Sequence, residues 1–224
     1  TDGCSSTCGV ESGWTCSGTP SNCSAICGDG IVVGPETCDD GNNSTTDGCN
    51  STCRVEFGWT CTGAPSQCDG ICGDGMLKGS ELCDDGNKNS TDGCSSTCGV
   101  ESGWTCSGAP SVCNTTCGDG IVTGKELCDD GGVIDSDGCN STCGIEMRWR
   151  CNGMPSKCDG ICGDGYIIGS ETCDDNNLFQ RDGCSSTCIV EKGWSCTGEP
   201  SFCLKSVVPS STSTATEGDA ASLC

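Results

Sequence analysis

The stretch from Cys27 to Cys68 reads CGDGIVVGPETCDDGNNSTTDGCNSTCRVEFGWTCTGAPSQC. Its six cysteines are separated by 10, 10, 3, 7 and 6 residues. The phrase returns in register every 45 residues, its C-G-D-G opening recurring at Cys27, Cys72, Cys117 and Cys162. Trp14, Trp59, Trp104, Trp149 and Trp194 keep the same step, as do five Pro-Ser pairs from Pro20 to Pro200. Self-similarity at such a period marks a repeat architecture. The units are 27–68, 72–113, 117–158 and 162–203. Residues 1–23 are a partial repeat, matching the back part of a unit, and 204–224 form a Ser/Thr-rich tail.

Composition says what these units can be made of. Ile, Leu, Val and Phe together number 30 of 224 residues, aromatics make up 4%, and the net charge is -22. A chain below roughly 20% in those apolar residues and strongly charged is ordinarily disordered. Against that stand 29 cysteines. Small modules that bury little apolar surface need covalent staples. Histidine is absent and the tight cysteine pairs are C-x3-C, as at Cys49 and Cys53. This argues against zinc ribbons and redox C-x-x-C sites. Disulfides in an oxidising, extracellular compartment follow, either secreted or on a cell-surface appendage. The acidic balance argues against nucleic acid and against anionic membrane surfaces as partners. No apolar run approaches a membrane span. No signal peptide is visible, so either one was removed or the chain is part of something longer.

The expected fold class is small disulfide-rich repeats: tandem, loop-rich modules with short β-hairpins in an elongated array. Gly, Asp-Gly and Pro recur too often for long helices. The apolar triplets Ile31–Val33 and Val55–Phe57 suit short hairpin strands. A helical turn through Asp47–Cys53 is expected, capped by Asp47 or Ser51. The partial repeat holds four cysteines, an even number. If it is self-contained, each leading pair must close on itself: Cys27–Cys38, Cys72–Cys83, Cys117–Cys128 and Cys162–Cys173. The other four then pair among themselves, as Cys49–Cys61 with Cys53–Cys68. Cys224 has no mate in register and points to an intermolecular bond or a continuing chain.

The pattern C-G-D-G-x3-G-x-E-x-C-D-D-G-N, then D-G-C-x3-C, then E-x-G-W-x-C-x-G-x-P-S-x-C, resembles the myxobacterial-type cysteine-rich repeat across residues 1–203. That family occurs in large secreted or surface proteins, protists included. The resemblance implies an extracellular disulfide module and no activity. Three positions depart from the pattern: Gly132 replaces an Asn, Arg148 the Gly before Trp149, and Asn176 a Gly.

Acidic residues also repeat. Asp29, Glu36, Asp39, Asp40, Asp47 and Glu56 have acidic equivalents in every full unit. Asp before Gly makes turns and caps. Adjacent carboxylates such as Asp39 and Asp40 repel, by about 1 kcal/mol at 4 Å in water, and calcium, a hard cation taking six to eight oxygens, would relieve this. The candidate ligands are Asp39, Asp40, Asn42 and Asp47; Asp84, Asp85, Asn87 and Asp92; Asp129, Asp130 and Asp137; and Asp174, Asp175, Asn177 and Asp182. Unit three should bind worst, since Gly132 offers no side-chain oxygen. No cofactor is required; calcium is the one candidate. The tryptophans are expected to pack on disulfides rather than form sugar platforms.

Asn22, Asn42, Asn43, Asn50, Asn89, Asn114 and Asn140 satisfy the N-x-S/T sequon, so covalent glycans are expected in a eukaryotic secreted protein. Nothing in the sequence supports catalysis: no histidine base, no nucleophile elbow, no phosphate loop. The expected function is a structural or adhesive extracellular repeat in a coat, appendage or fibre, with self-association or other matrix and coat proteins as partners. A glycan- or protein-binding module is the alternative, and a protease inhibitor a second one.

Overall fold

The computed structural model describes residues 2–206. The chain divides into two compact bodies, Thr1–Gly132 and Val133–Cys224, and each is described by itself. The tail beyond 206 and Cys224 lie outside the described residues.

Regular structure among the described residues is confined to short antiparallel hairpins. The first body holds β1 (Trp14–Ser17) with β2 (Asn22–Ala25), β3 (Trp59–Thr62) with β4 (Gln67–Gly70), and β5 (Trp104–Ser107) with β6 (Val112–Thr115). The second holds β7 (Trp149–Asn152) with β8 (Lys157–Gly160), and β9 (Trp194–Thr197) with β10 (Phe202–Lys205). Two cysteines face each other across every hairpin, Cys61 opposite Cys68 for instance. Their Cα atoms are 4.0 Å apart and a disulfide joins them. The turn contains a cis Ala64-Pro65 bond.

The small disulfide-rich module with short hairpins is therefore as the sequence predicts, but the hairpin lies elsewhere. Ile31–Val33 and Val55–Phe57 are not strands: Ile31 and Val32 are exposed and run without a ladder partner, while Val55 makes one isolated bridge to Cys49. Asp47–Cys53 is a bend and turn, not a helical turn. Glu56 explains why, since its carboxylate accepts the Thr46 and Gly48 N–H groups and holds the segment open.

Disulfide pairing differs from expectation. Cys27 bonds Cys53, Cys38 bonds Cys49, and Cys61 bonds Cys68. The same pattern joins Cys72 to Cys98, Cys83 to Cys94 and Cys106 to Cys113, then Cys162 to Cys188, Cys173 to Cys184 and Cys196 to Cys203. Cys27–Cys38, Cys72–Cys83 and Cys162–Cys173 are thus corrected, as are Cys49–Cys61 and Cys53–Cys68. Cys117, Cys128, Cys139 and Cys143 are all disulfide-bonded. The premise behind the expected pairing fails at the partial repeat, where Cys4 and Cys8 are free and exposed. Loop entropy does not choose between the pairings. Closing 27 rather than 12 residues changes the chain-entropy contribution by only about 0.7 kcal/mol. Local geometry chooses: Cys53 takes a left-handed backbone, φ 54°, closing a tight turn in which its N–H bonds the Asn50 carbonyl.

The interior is built from these cystines. Cys38, Cys49 and Cys53 are fully buried, with Cys27, Val55, Cys61 and Cys68 packed around them. Trp59 closes one side. A Cβ on Gly48 would stand 2.3 Å from Cys68 Cβ and 2.8 Å from Trp59 Cε3, so only glycine fits there. The far edge of Trp59 rests on Gly79 of the following module, and the Ile71 N–H bonds the Gly58 carbonyl. Each hairpin in the first body therefore touches both its own module and the next. In the second body Trp149 rests on Gly169 in the same way.

Candidate metal and turn centre

The most deeply buried polar group of each module is the aspartate that follows the second cysteine. Asp39, Asp84, Asp129 and Asp174 are all 0% exposed. Asp39 accepts the N–H groups of Gly28, Asp29, Gly30 and Gly41 at 2.9, 3.3, 2.8 and 2.9 Å. Its own N–H donates to Ser66 Oγ, and the Ser66 N–H donates to its carbonyl. Burial pushes the Asp39 carboxyl up, but the backbone donors, led by Gly41, overcome it and hold it below the usual range. Asp84 and Asp129 behave likewise. A carboxylate accepting several backbone N–H bonds is stabilised in its charged form.

Most of the repeating acidity answers to the same chemistry. Asp29 Oδ1 accepts the Ile31 N–H, Glu36 Oε2 the Val33 N–H, and Asp40 Oδ1 the Asn42 N–H. With Asp39 and Glu56, five of the six acidic positions of a module bind backbone. The sixth, Asp47, does not: its Oδ1 is buried without a hydrogen-bond partner, and so are Oδ1 of Asp92 and of Asp182. Asn87 Nδ2 donates to the other oxygen of Asp92 at 3.3 Å. In the last module Asp175 Oδ1 is also buried and partnerless. Burial pushes the Asp175 carboxyl up, and the charge of Asp182 beside it adds to that.

The expected calcium ligands therefore separate into two groups. Asp39, Asp84, Asp129 and Asp174 have their oxygens engaged by backbone donors, which a cation would have to displace. Asn87 meets both Asp85, through its N–H, and Asp92, through Nδ2, and Asp175 lies beside Asp182. A second kind of group pairs acids with sulfur. Cys27, Glu36, Asp39 and Cys53 each bring one atom within 4.8 Å of the others, and so do Cys162, Glu171, Asp174 and Cys188. Those sulfurs are in disulfides. A hard cation prefers charged oxygen to neutral sulfur, so the donor set fits calcium poorly there. The pair Asp175 and Asp182, which offers only carboxylate oxygens, suits it better.

The tryptophans are packing groups. Trp59 shows 9% of its surface, and Trp104 Nε1 donates to Thr123 Oγ1 of the next module. Of the sequon asparagines, Asn22, Asn42, Asn43, Asn89 and Asn114 are exposed and Asn50 and Asn140 half-buried. Asn50 Oδ1 accepts both the N–H and the hydroxyl of Thr52, and Asn140 Oδ1 accepts the same groups of Thr142.

Sequence reasoning missed a clasp in the second body. Arg148, in a glycine position, adopts φ 71°. Its guanidinium lies 3.1 Å from the centroid of the Tyr166 ring, with Asp164 Oδ2 3.8 Å from Nη1. The signal was present: an arginine where the repeat has glycine, facing the one tyrosine of the chain.

No curated protein and no solved structure matches the chain. One sequence family does match, in four tandem segments, 6–54, 56–99, 101–144 and 146–189. Segment 56–99 takes a hairpin together with the front of the following module, and its six cysteines are bonded among themselves. These segments cover most of the chain, which therefore belongs to the cysteine-rich repeat family described as a domain of unknown function (DUF4215).

Proposed function

We propose that the chain is a non-enzymatic, secreted structural or adhesive protein, its modules serving as covalently closed spacers in a surface coat, appendage or fibre. The observation that carries this reading is the interior: cystines and one caged aspartate fill each described module. Such an interior forms only where thiols are oxidised. Among the described residues no helix is long and apolar enough to cross a membrane. The motif likeness to the myxobacterial-type repeat supports the same reading. Partners are other coat or matrix proteins, further copies, and covalent glycans, with Asn50 and Asn140 the first sites. The test is antibody labelling of intact against permeabilised source cells, with mass analysis of the native protein. Surface label and glycan mass at Asn50 are expected; label confined to the cell interior would overturn the reading.

A second reading, calcium stabilisation, is favoured by the partnerless buried oxygens of Asp92, Asp175 and Asp182. Calcium at millimolar level should raise the melting temperature, and a chelator should lower it. No shift would leave turn chemistry as the whole account of the acidic repeat.

A further inference from the structure

The three disulfides of a module do not meet solvent alike. The second and third cysteines of the complete modules are fully buried, as Cys38 and Cys49 are, and so is the fourth, at 1–2% exposure in Cys53, Cys98, Cys143 and Cys188. The fifth and sixth, which close the hairpin, are both half-buried, Cys106 and Cys113 among them. Charge separates the classes further. Cys53 Sγ lies 3.5 Å from Oδ2 of the caged Asp39, and Cys188 Sγ lies 3.5 Å from Asp174 Oδ2. A thiol attacking Cys27 or Cys162 would have to expel Cys53 or Cys188 as a buried thiolate facing a buried carboxylate. Burial and a neighbouring like charge both disfavour an anion, and exchange slows when the leaving sulfur holds negative charge poorly. Expelling Cys106 puts the charge on a sulfur that water can reach. Cys113 also lines a cleft of about 150 Å³ with Trp104, Asn114, Thr115 and Lys125, and no carboxylate is among these lining residues. The corresponding cleft at Cys68 holds Lys78, but Asp47 and Asp69 as well.

We propose that the hairpin cystine Cys106–Cys113 is a thiol-exchange site, modified at Cys113 by a small anionic thiol such as glutathione, while the caged aspartates keep the nested cystines closed. The incoming thiolate is drawn by the exposed Lys125, since a positive group raises the local concentration of an anion. Its sulfur bonds Cys113 Sγ as the Cys106–Cys113 bond breaks. Cys106 leaves as a thiolate and takes a proton from water. One disulfide is lost and one is gained, so the step consumes no oxidant or reductant. The product unlocks a hairpin that joins two modules. There the Thr116 N–H bonds the Gly103 carbonyl, and Trp104 Nε1 bonds Thr123 Oγ1. The nested cystines stay closed, so the joint loosens while each module keeps its core. The inference stands apart from the coat reading, because it concerns which cystine yields wherever the protein meets a thiol.

The test uses the full chain, produced without glycans and with its free thiols alkylated beforehand. Reduced glutathione is added, samples are quenched in acid over time, and adducts are mapped by mass spectrometry. Glutathione is expected at Cys113 about tenfold faster than at any nested cysteine, and faster than at Cys68. Lys125→Met should slow the Cys113 adduct about threefold at low salt, the worth of one exposed charge. Lys125→Arg should keep the native rate, and high salt should erase the difference between Lys125→Met and the native chain. Equal rates at Cys113 and at any other cysteine would overturn the proposal. So would a Lys125→Met chain that reacts at the native rate in low salt.

Discussion

A carboxylate withdrawn from water is costly unless every lone pair finds a donor. In these modules the donors are backbone N–H groups of the glycine-rich opening. That makes the aspartate after the second cysteine the organiser of its loop. Asp84→Asn should put its amide hydrogens against either the Gly73 and Asp74 N–H groups or those of Gly75 and Gly86, which are themselves donors. A loss of about 1–3 kcal/mol is expected from a buried unsatisfied group, read by denaturation followed through tryptophan fluorescence. The pH dependence has a definite sign. Asp39, Asp84 and Asp129 lie below the usual carboxylate range when folded, so their stabilisation is complete above an unfolded value of about 3.9. It is lost as pH falls through the lower folded value. Near-UV circular dichroism should therefore hold steady from neutral pH to about 4 and change only below it. The sequence displayed the Asp-Gly turn chemistry plainly. It hid that Asp39 serves residues 28–30, since only the folded loop brings that carboxylate to donors nine to eleven residues away.

At the scale of the element, the hairpin couples modules. Trp59 meets Gly79 through its ring edge, and a Cβ on Gly79 would lie 3.1 Å from Trp59 Cζ3 at φ 56°. Gly79→Ala should cost about 1–2 kcal/mol from the left-handed backbone alone, with looser tryptophan packing visible in the emission spectrum. Arg148 tests the opposite case. Its strained φ costs about 1–2 kcal/mol, while its stack on Tyr166 returns about 0.5–1 kcal/mol. Arg148→Gly should therefore be neutral or slightly stabilising. Tyr166→Ala should destabilise the native chain and have little effect in the Arg148→Gly background, as a double-mutant cycle would read. The hairpins were foreseen as a class but placed on the apolar triplets. β propensity describes a residue's fit to a pleated surface, not the presence of a partner strand. Here the facing cysteines and the Gly-x-Pro-Ser turn set the pairing, and Ile31–Val33 is left to pack over Gly13.

At the scale of the molecule, the 45-residue period was fully legible because spacing survives without any knowledge of contacts. Connectivity was not, because six cysteines allow 15 pairings and loop entropy barely separates the leading ones. The acidic register is where composition misled: most of it binds backbone, leaving one buried oxygen each of Asp47, Asp92, Asp175 and Asp182, and of Glu36, Glu81, Glu126 and Glu171, without a hydrogen-bond partner. At ten times its dissociation constant calcium should add about 1.4 kcal/mol per site, and Asp182→Asn should remove the share of the last module. The central claim is that each module is a nested cystine core, first cysteine to fourth and second to third, with the hairpin closed fifth to sixth. Peptide mapping of the non-reduced protein tests it most directly. Cross-linked fragments joining Cys72 to Cys98, Cys83 to Cys94 and Cys106 to Cys113 are predicted, repeated at Cys162–Cys188, Cys173–Cys184 and Cys196–Cys203. Fragments joining Cys72 to Cys83, or Cys162 to Cys173, would contradict it.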